Sequence, residues 1–61
     1  MDVRIKINCD NAAFEEDTNG TEVARILREL ADIYDRAALG EGMDRIRDFN
    51  GNTCGHVKVS A

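Results

Sequence analysis

A chain of 61 residues and 6.8 kDa has room for one domain with a small core, because a chain this short buries only about 60% of the surface its unfolded form exposes. Hydrophobic residues at 43% and charged residues at 33% belong to a globular chain rather than a disordered one, while a net charge of −4 and a pI of 4.7 work against a simple nucleic-acid binder. No apolar stretch approaches the roughly 20 residues of a spanning helix, and Met1-Asp2-Val3-Arg4 does not open a secretory leader, so the expected location is cytoplasmic.

Residues 3–9, Val-Arg-Ile-Lys-Ile-Asn-Cys, alternate strictly. Val3, Ile5, Ile7 and Cys9 fall on one face and Arg4, Lys6 and Asn8 on the other, the pattern of a half-buried strand. From Asp10 to Thr21 the chain turns polar, with the acidic run Glu15-Glu16-Asp17 and an Asn19-Gly20 turn signal. Ala12, Ala13 and Phe14 interrupt that polarity, and the expectation is a loop with Phe14 pinned into the core.

The clearest signal follows. Val23, Ile26, Leu27, Leu30, Ile33, Tyr34 and Ala37 recur at helical spacing, opposite Glu22, Arg25, Glu29, Asp32 and Arg36. The spacing predicts an amphipathic helix over residues 21–39. Thr21 suits the N-cap, Gly40 the C-cap, and Arg25/Glu29, Arg28/Asp32 and Asp32/Arg36 are opposite charges four residues apart.

Residues 44–60 predict a β-hairpin around Asn50-Gly51. Two registers compete. A two-residue turn places Ile46 opposite Gly55, whereas a longer loop from Asn50 to Thr53 places Ile46 opposite Val57 and Phe49 opposite Cys54. The second keeps apolar residues together and is preferred. The predicted fold is therefore α+β, a single βαββ domain over residues 1–61 with one amphipathic helix covering one face of a three-stranded sheet. The other face must meet water or a partner.

Charge divides unevenly along this order. Residues 10–41 carry nine acids against three arginines, a balance of −6, and the remaining segments balance at +2. In the preferred register Arg45, Arg47, His56 and Lys58 share the open sheet face with Phe49, and Arg4 and Lys6 point the same way from the first strand. These seven residues are the candidate binding surface. It can be a solvated face guarded by strand-edge cations, a contact for a partner protein or a second copy with Phe49 as anchor, or a track for a phosphate backbone.

Catalytic signals are weak. His56 is the lone histidine and no nucleophile pattern accompanies it. Cys9 and Cys54 form no CxxC pair, and in a reducing cytosol they are free thiols. Cys9, Asp10, Cys54 and His56 are competent zinc ligands by type but not by spacing, and Asp48-Phe49-Asn50-Gly51-Asn52-Thr53 resembles a calcium loop only superficially, being explained by turn chemistry. The reading is a non-enzymatic protein with no cofactor and no metal. Self-association is one route by which so small a core gains stability.

The phrases Asn8-Cys9-Asp10-Asn11-Ala12-Ala13-Phe14-Glu15, Ala24-Arg25-Ile26-Leu27-Arg28-Glu29-Leu30-Ala31 and Asp48-Phe49-Asn50-Gly51-Asn52-Thr53 resemble a family of small proteins encoded by bacteriophages and prophages. The resemblance spans nearly the whole chain and implies a setting, the cytoplasm of a bacterial host, rather than an activity. By analogy with other small acidic phage proteins it suggests an inhibitor or adaptor of a host machine, of the anti-CRISPR or other counter-defence kind. A small nucleic-acid-binding accessory protein using the basic sheet face is the alternative.

Overall fold

The computed structural model describes residues 1–15, 20–37 and 40–61. Strand β1 (Asp2–Ile7) leads through a 3₁₀ turn (Ala12–Phe14) to helix α1 (Thr21–Arg36), and strands β2 (Gly42–Arg47) and β3 (Thr53–Ser60) form the C-terminal hairpin. The sheet order is β1-β3-β2, and β3 is antiparallel to both neighbours, so β1 and β2 run parallel to each other on either side of it. The predicted βαββ architecture holds. β3 takes the centre for a physical reason: it supplies Cys54, Val57 and Val59 to the core, more than either edge strand does.

Those three are joined in the core by Ala13 and Phe14 from the 3₁₀ turn, Ile26 from α1 and Ile46 from β2, with Ile7, Val23, Leu30 and Tyr34 packed around them. Phe14 is thus anchored as the sequence predicts. Glu16 and Asp17 of the acidic run, and Asn19 of the turn signal, lie outside the described residues, as do Ala38 and Leu39 at the predicted end of the helix.

Two details of the helix differ from expectation. The N-cap is Gly20, held in the left-handed region at φ 71°, and its carbonyl accepts the Ala24 N–H at 2.8 Å; Thr21 is already inside the first turn. At the other end Ala37 turns extended while its N–H still closes on the Ile33 carbonyl at 3.1 Å, so the last turn finishes before Gly40. Among the described residues the pairs Arg25–Glu29 at 2.8 Å and Arg36–Asp32 at 3.5 Å form, whereas Arg28 makes no ion pair with Asp32.

The preferred hairpin register is corrected. Ile46 stands opposite Gly55, not Val57, and Arg47 stands opposite Thr53, which leaves Cys54 as an extra residue on β3. The extra residue is a β-bulge. It reverses the inward–outward alternation at that point, so Cys54, Val57 and Val59 all face the core although their spacing is not uniformly two. A sequence reading that preserves strict alternation cannot find this. The loop over residues 48–52 is closed by Asp48 rather than by a two-residue turn: its Oδ1 accepts the N–H groups of Asn50 at 2.9 Å and Asn52 at 3.0 Å, and its backbone N–H donates to the Asn52 carbonyl.

Candidate functional site: the open face of the sheet

Direct cross-strand partners share a face, so the registers define the surface that α1 leaves uncovered. Val3, Ile5 and Ile7 stand opposite Val59, Val57 and Gly55 on the helix side. The open side then carries a row of Arg4, Lys58 and Met43, a row of Lys6, His56 and Arg45, and Asp2 beside Ser60. Beyond the bulge Arg47 and Thr53 continue the same face. Arg4, Lys6, Arg45, Arg47 and Lys58 are exposed and His56 is half-buried between Lys6 and Arg45.

Six of the seven residues singled out by sequence thus meet on one surface. Phe49 does not. It sits in the loop after β2, 65% exposed, and borders a groove with Ala12, Ala13, Glu15, Thr21, Glu22 and Arg25 near the start of α1. The cause is the shorter hairpin ladder: with Asp48 closing the loop, no β-pairing extends to position 49. The open face is therefore basic without an aromatic residue.

Its electrostatics follow from the pairing. Arg4 directly opposes Lys58, an arrangement that costs free energy in an isolated sheet because like charges stand about 5 Å apart between Cβ atoms, and Lys6 and Arg45 lie one strand further apart on either side of His56. Among the described residues the ion pairs all lie on α1, between Arg25 and Glu22, Arg25 and Glu29, and Arg36 and Asp32; the open-face cations take part in none of them. Helix α1, with four acids against three arginines, and the basic face lie on opposite sides of the sheet.

The possible meeting of Cys9, Asp10, Cys54 and His56 is not realised. The bulge turns Cys54 into the core while His56 lies on the open face, and among the described residues no three metal-ligating side chains cluster. Both cysteines are free thiols, Cys9 exposed and Cys54 buried, and burial pushes the Cys54 thiol up, reinforced by the nearby Asp48 and Glu22 carboxylates.

Two acids are buried, Asp48 in the segment expected to be a turn and Glu22 on the helix face expected to be polar. Asp48, 4% exposed, organises its loop and accepts the Asn11 side-chain amide at 3.0 Å. Glu22, 5% exposed, accepts the Phe49 N–H at 2.8 Å and is paired with Arg25, whose guanidinium holds its carboxyl below the usual range against the opposing effect of burial. The run Asp48-x-Asn50-Gly51-Asn52 is a legible signal for the first, since aspartate accepts backbone N–H groups two residues on. No local pattern announces the second, because its partner is 27 residues away.

The fold and the site define a small α+β domain presenting an open, basic, three-stranded face opposite its one amphipathic helix. Compared with known proteins, the chain matches no family model, no curated protein and no solved structure. None of its helices is long and apolar enough to cross a membrane, among the described residues.

Proposed function

We propose that this chain is a phage or prophage accessory protein that acts without catalysis, in the host cytoplasm, by binding an acidic surface of a host protein and inhibiting a defence or regulatory machine. The observation that carries the reading is the open face on which Arg4 directly opposes Lys58 while Lys6, Arg45 and Arg47 add further positive charge around that pair. Cations held side by side raise the energy of the free protein, and an acidic partner relieves that repulsion, so the free-energy difference favours the bound state. The small size and the resemblance of its three sequence phrases to phage proteins support the setting.

Binding of nucleic acid is the second reading, favoured by the same cation rows. The position of Phe49 argues against its single-stranded form, because stacking platforms place an aromatic residue within the basic track and here it lies at the far end of the hairpin.

The test is capture from lysate of a bacterial host carrying active defence systems, using the wild-type chain beside an Arg4→Glu/Lys58→Glu variant. The expected result is a specific acidic protein retained by the first and lost by the second, with unchanged circular dichroism of the variant. Capture of no specific protein, or equal capture by both, overturns the reading. Retention of nucleic acid that weakens steeply with salt, and that is lost on Arg45→Ala/Arg47→Ala, would replace it with the second.

A further inference from the structure

Strand β1 is an edge strand, and its helix side is only partly covered: Val3 and Ile5 are each 47% exposed and form one wall of an apolar groove whose other wall is Leu27, Leu30, Ala31 and Tyr34 of α1. The opposite edge is differently built. The helix-side positions of β2 are Gly42, Asp44 and Ile46, so a charge and a glycine at φ 147° blunt it, and a bulge interrupts its ladder. On β1 the helix-side positions Val3, Ile5 and Ile7 are all apolar, and the ladder with β3 is regular throughout.

The direction of its unpaired backbone groups is settled by one bond. The Asn8 N–H donates to the Cys54 carbonyl at 2.6 Å in the same register as the β1–β3 ladder, so the even-numbered residues of β1 direct their N–H and C=O groups to β3. Val3, Ile5 and Ile7 direct theirs outward, along the free edge.

From this geometry we infer that the β1 edge pairs antiparallel with β1 of a second copy of this chain, about a two-fold axis at Arg4, making a continuous six-stranded sheet. In that register Val3 lies opposite Ile5 of the second copy, and the two exchange both backbone hydrogen bonds; the four apolar side chains close the two grooves into one seam beneath the two helices. On the open face Asp2 lies opposite Lys6 of the second copy, twice over, and these two attractive pairs outweigh the single meeting of Arg4 with its own copy. Neighbouring registers are worse. A shift of two residues one way sets Arg4 against Lys6 at both ends, and a shift the other way keeps an attraction, Asp2 to Arg4, but sets Ile5 against Met1, which lies outside the groove, instead of against Val3. In the register about Arg4 the attraction of Asp2 to Lys6 coincides with the meeting of the groove-lining Val3 and Ile5 and with the outward N–H groups of both. The inference stands independently of any acidic partner, although the dimer joins two basic faces into one.

Sedimentation velocity over a concentration series in reducing buffer tests it. The wild-type chain is expected to show a reversible monomer–dimer equilibrium. Asp2→Lys, which turns both attractive pairs repulsive, is expected to weaken it by roughly tenfold or more. The charge exchange Asp2→Lys/Lys6→Asp restores association, and Arg4→Thr strengthens it. A strictly monomeric wild-type chain at its highest soluble concentration overturns the inference, as does a dimer that Asp2→Lys leaves intact or one that the charge exchange does not restore. Far-ultraviolet circular dichroism of each variant separates lost association from lost folding.

Discussion

The carboxylate of Glu22, in the first turn of α1, accepts the backbone N–H of Phe49 at 2.8 Å and ties the start of the helix to the loop between β2 and β3. The same carboxylate is held by the Arg25 guanidinium, with Nη2 at 3.0 Å from Oε2. The arrangement satisfies a loop N–H with a charged acceptor inside the protein, where the bond is stronger than at the surface. It also places a negative charge at the helix N-terminus, where the macrodipole favours it.

Replacing Glu22 by Ala leaves the Phe49 N–H and Arg25 without this acceptor and is expected to cost about 1–3 kcal/mol in urea unfolding. The pH dependence has a definite sign. The fold lowers the Glu22 pKa below its ordinary value of 4.5, so the ionised form is the stabilising one. Its contribution is complete above the unfolded pKa and is lost as pH falls through the folded value. A Glu22→Gln variant should therefore show a shallower loss of stability than wild type below about pH 5. Parallel acid limbs for the two proteins would show that the ion pair contributes nothing.

Asp48 closes its loop through bonds to the N–H groups of Asn50 and Asn52 and reaches Asn11 beside the 3₁₀ turn. Asp48→Ala removes the acceptor of three donors that lie at the edge of the core, and should cost about 1–3 kcal/mol. Asp48→Asn keeps one carbonyl oxygen for the loop N–H groups and should cost less. If the two substitutions are equally damaging, the charge matters and the loop bonds do not.

Gly55 of β3 lies against the backbone of β1 at Lys6 and Ile7. A Cβ added there would collide with the Lys6 carbonyl oxygen, and that atom is backbone and cannot swing aside. Gly55→Ala must push β1 off the sheet, so the expected loss is at least about 1–3 kcal/mol, with amide exchange accelerated first along β1. Unaltered protection of β1 in the variant would contradict the close approach.

The two thiols should react at different rates. Cys9 is exposed and Cys54 is 4% exposed with its thiol pushed up by burial. An aromatic disulfide reagent is expected to modify one thiol per chain promptly and the second only at the rate of unfolding. Prompt modification of both would place Cys54 outside the core.

Much of this protein is written in local pattern. The alternation of residues 3–9 and the helical spacing from Val23 to Tyr34 are consequences of geometry that acts over a few residues, and each produced the element it predicts. Arg4, Lys6, Arg45, His56 and Lys58 were brought together on one face by that same alternation. What the chain could not announce locally are decisions made by contact between distant segments. Burial of Cys54 required a bulge, which depends on how β2 and β3 fit together; the fate of Phe49 depended on Asp48 closing the loop early. The central place of β3 was decided by competition among three strands for the most buried position, and the burial of Glu22 by an N–H 27 residues away. Periodicity assigns residues to faces because side-chain direction is a local property of the backbone. Register, strand order and the partners of buried charge belong to the tertiary structure, since they depend on which surfaces meet.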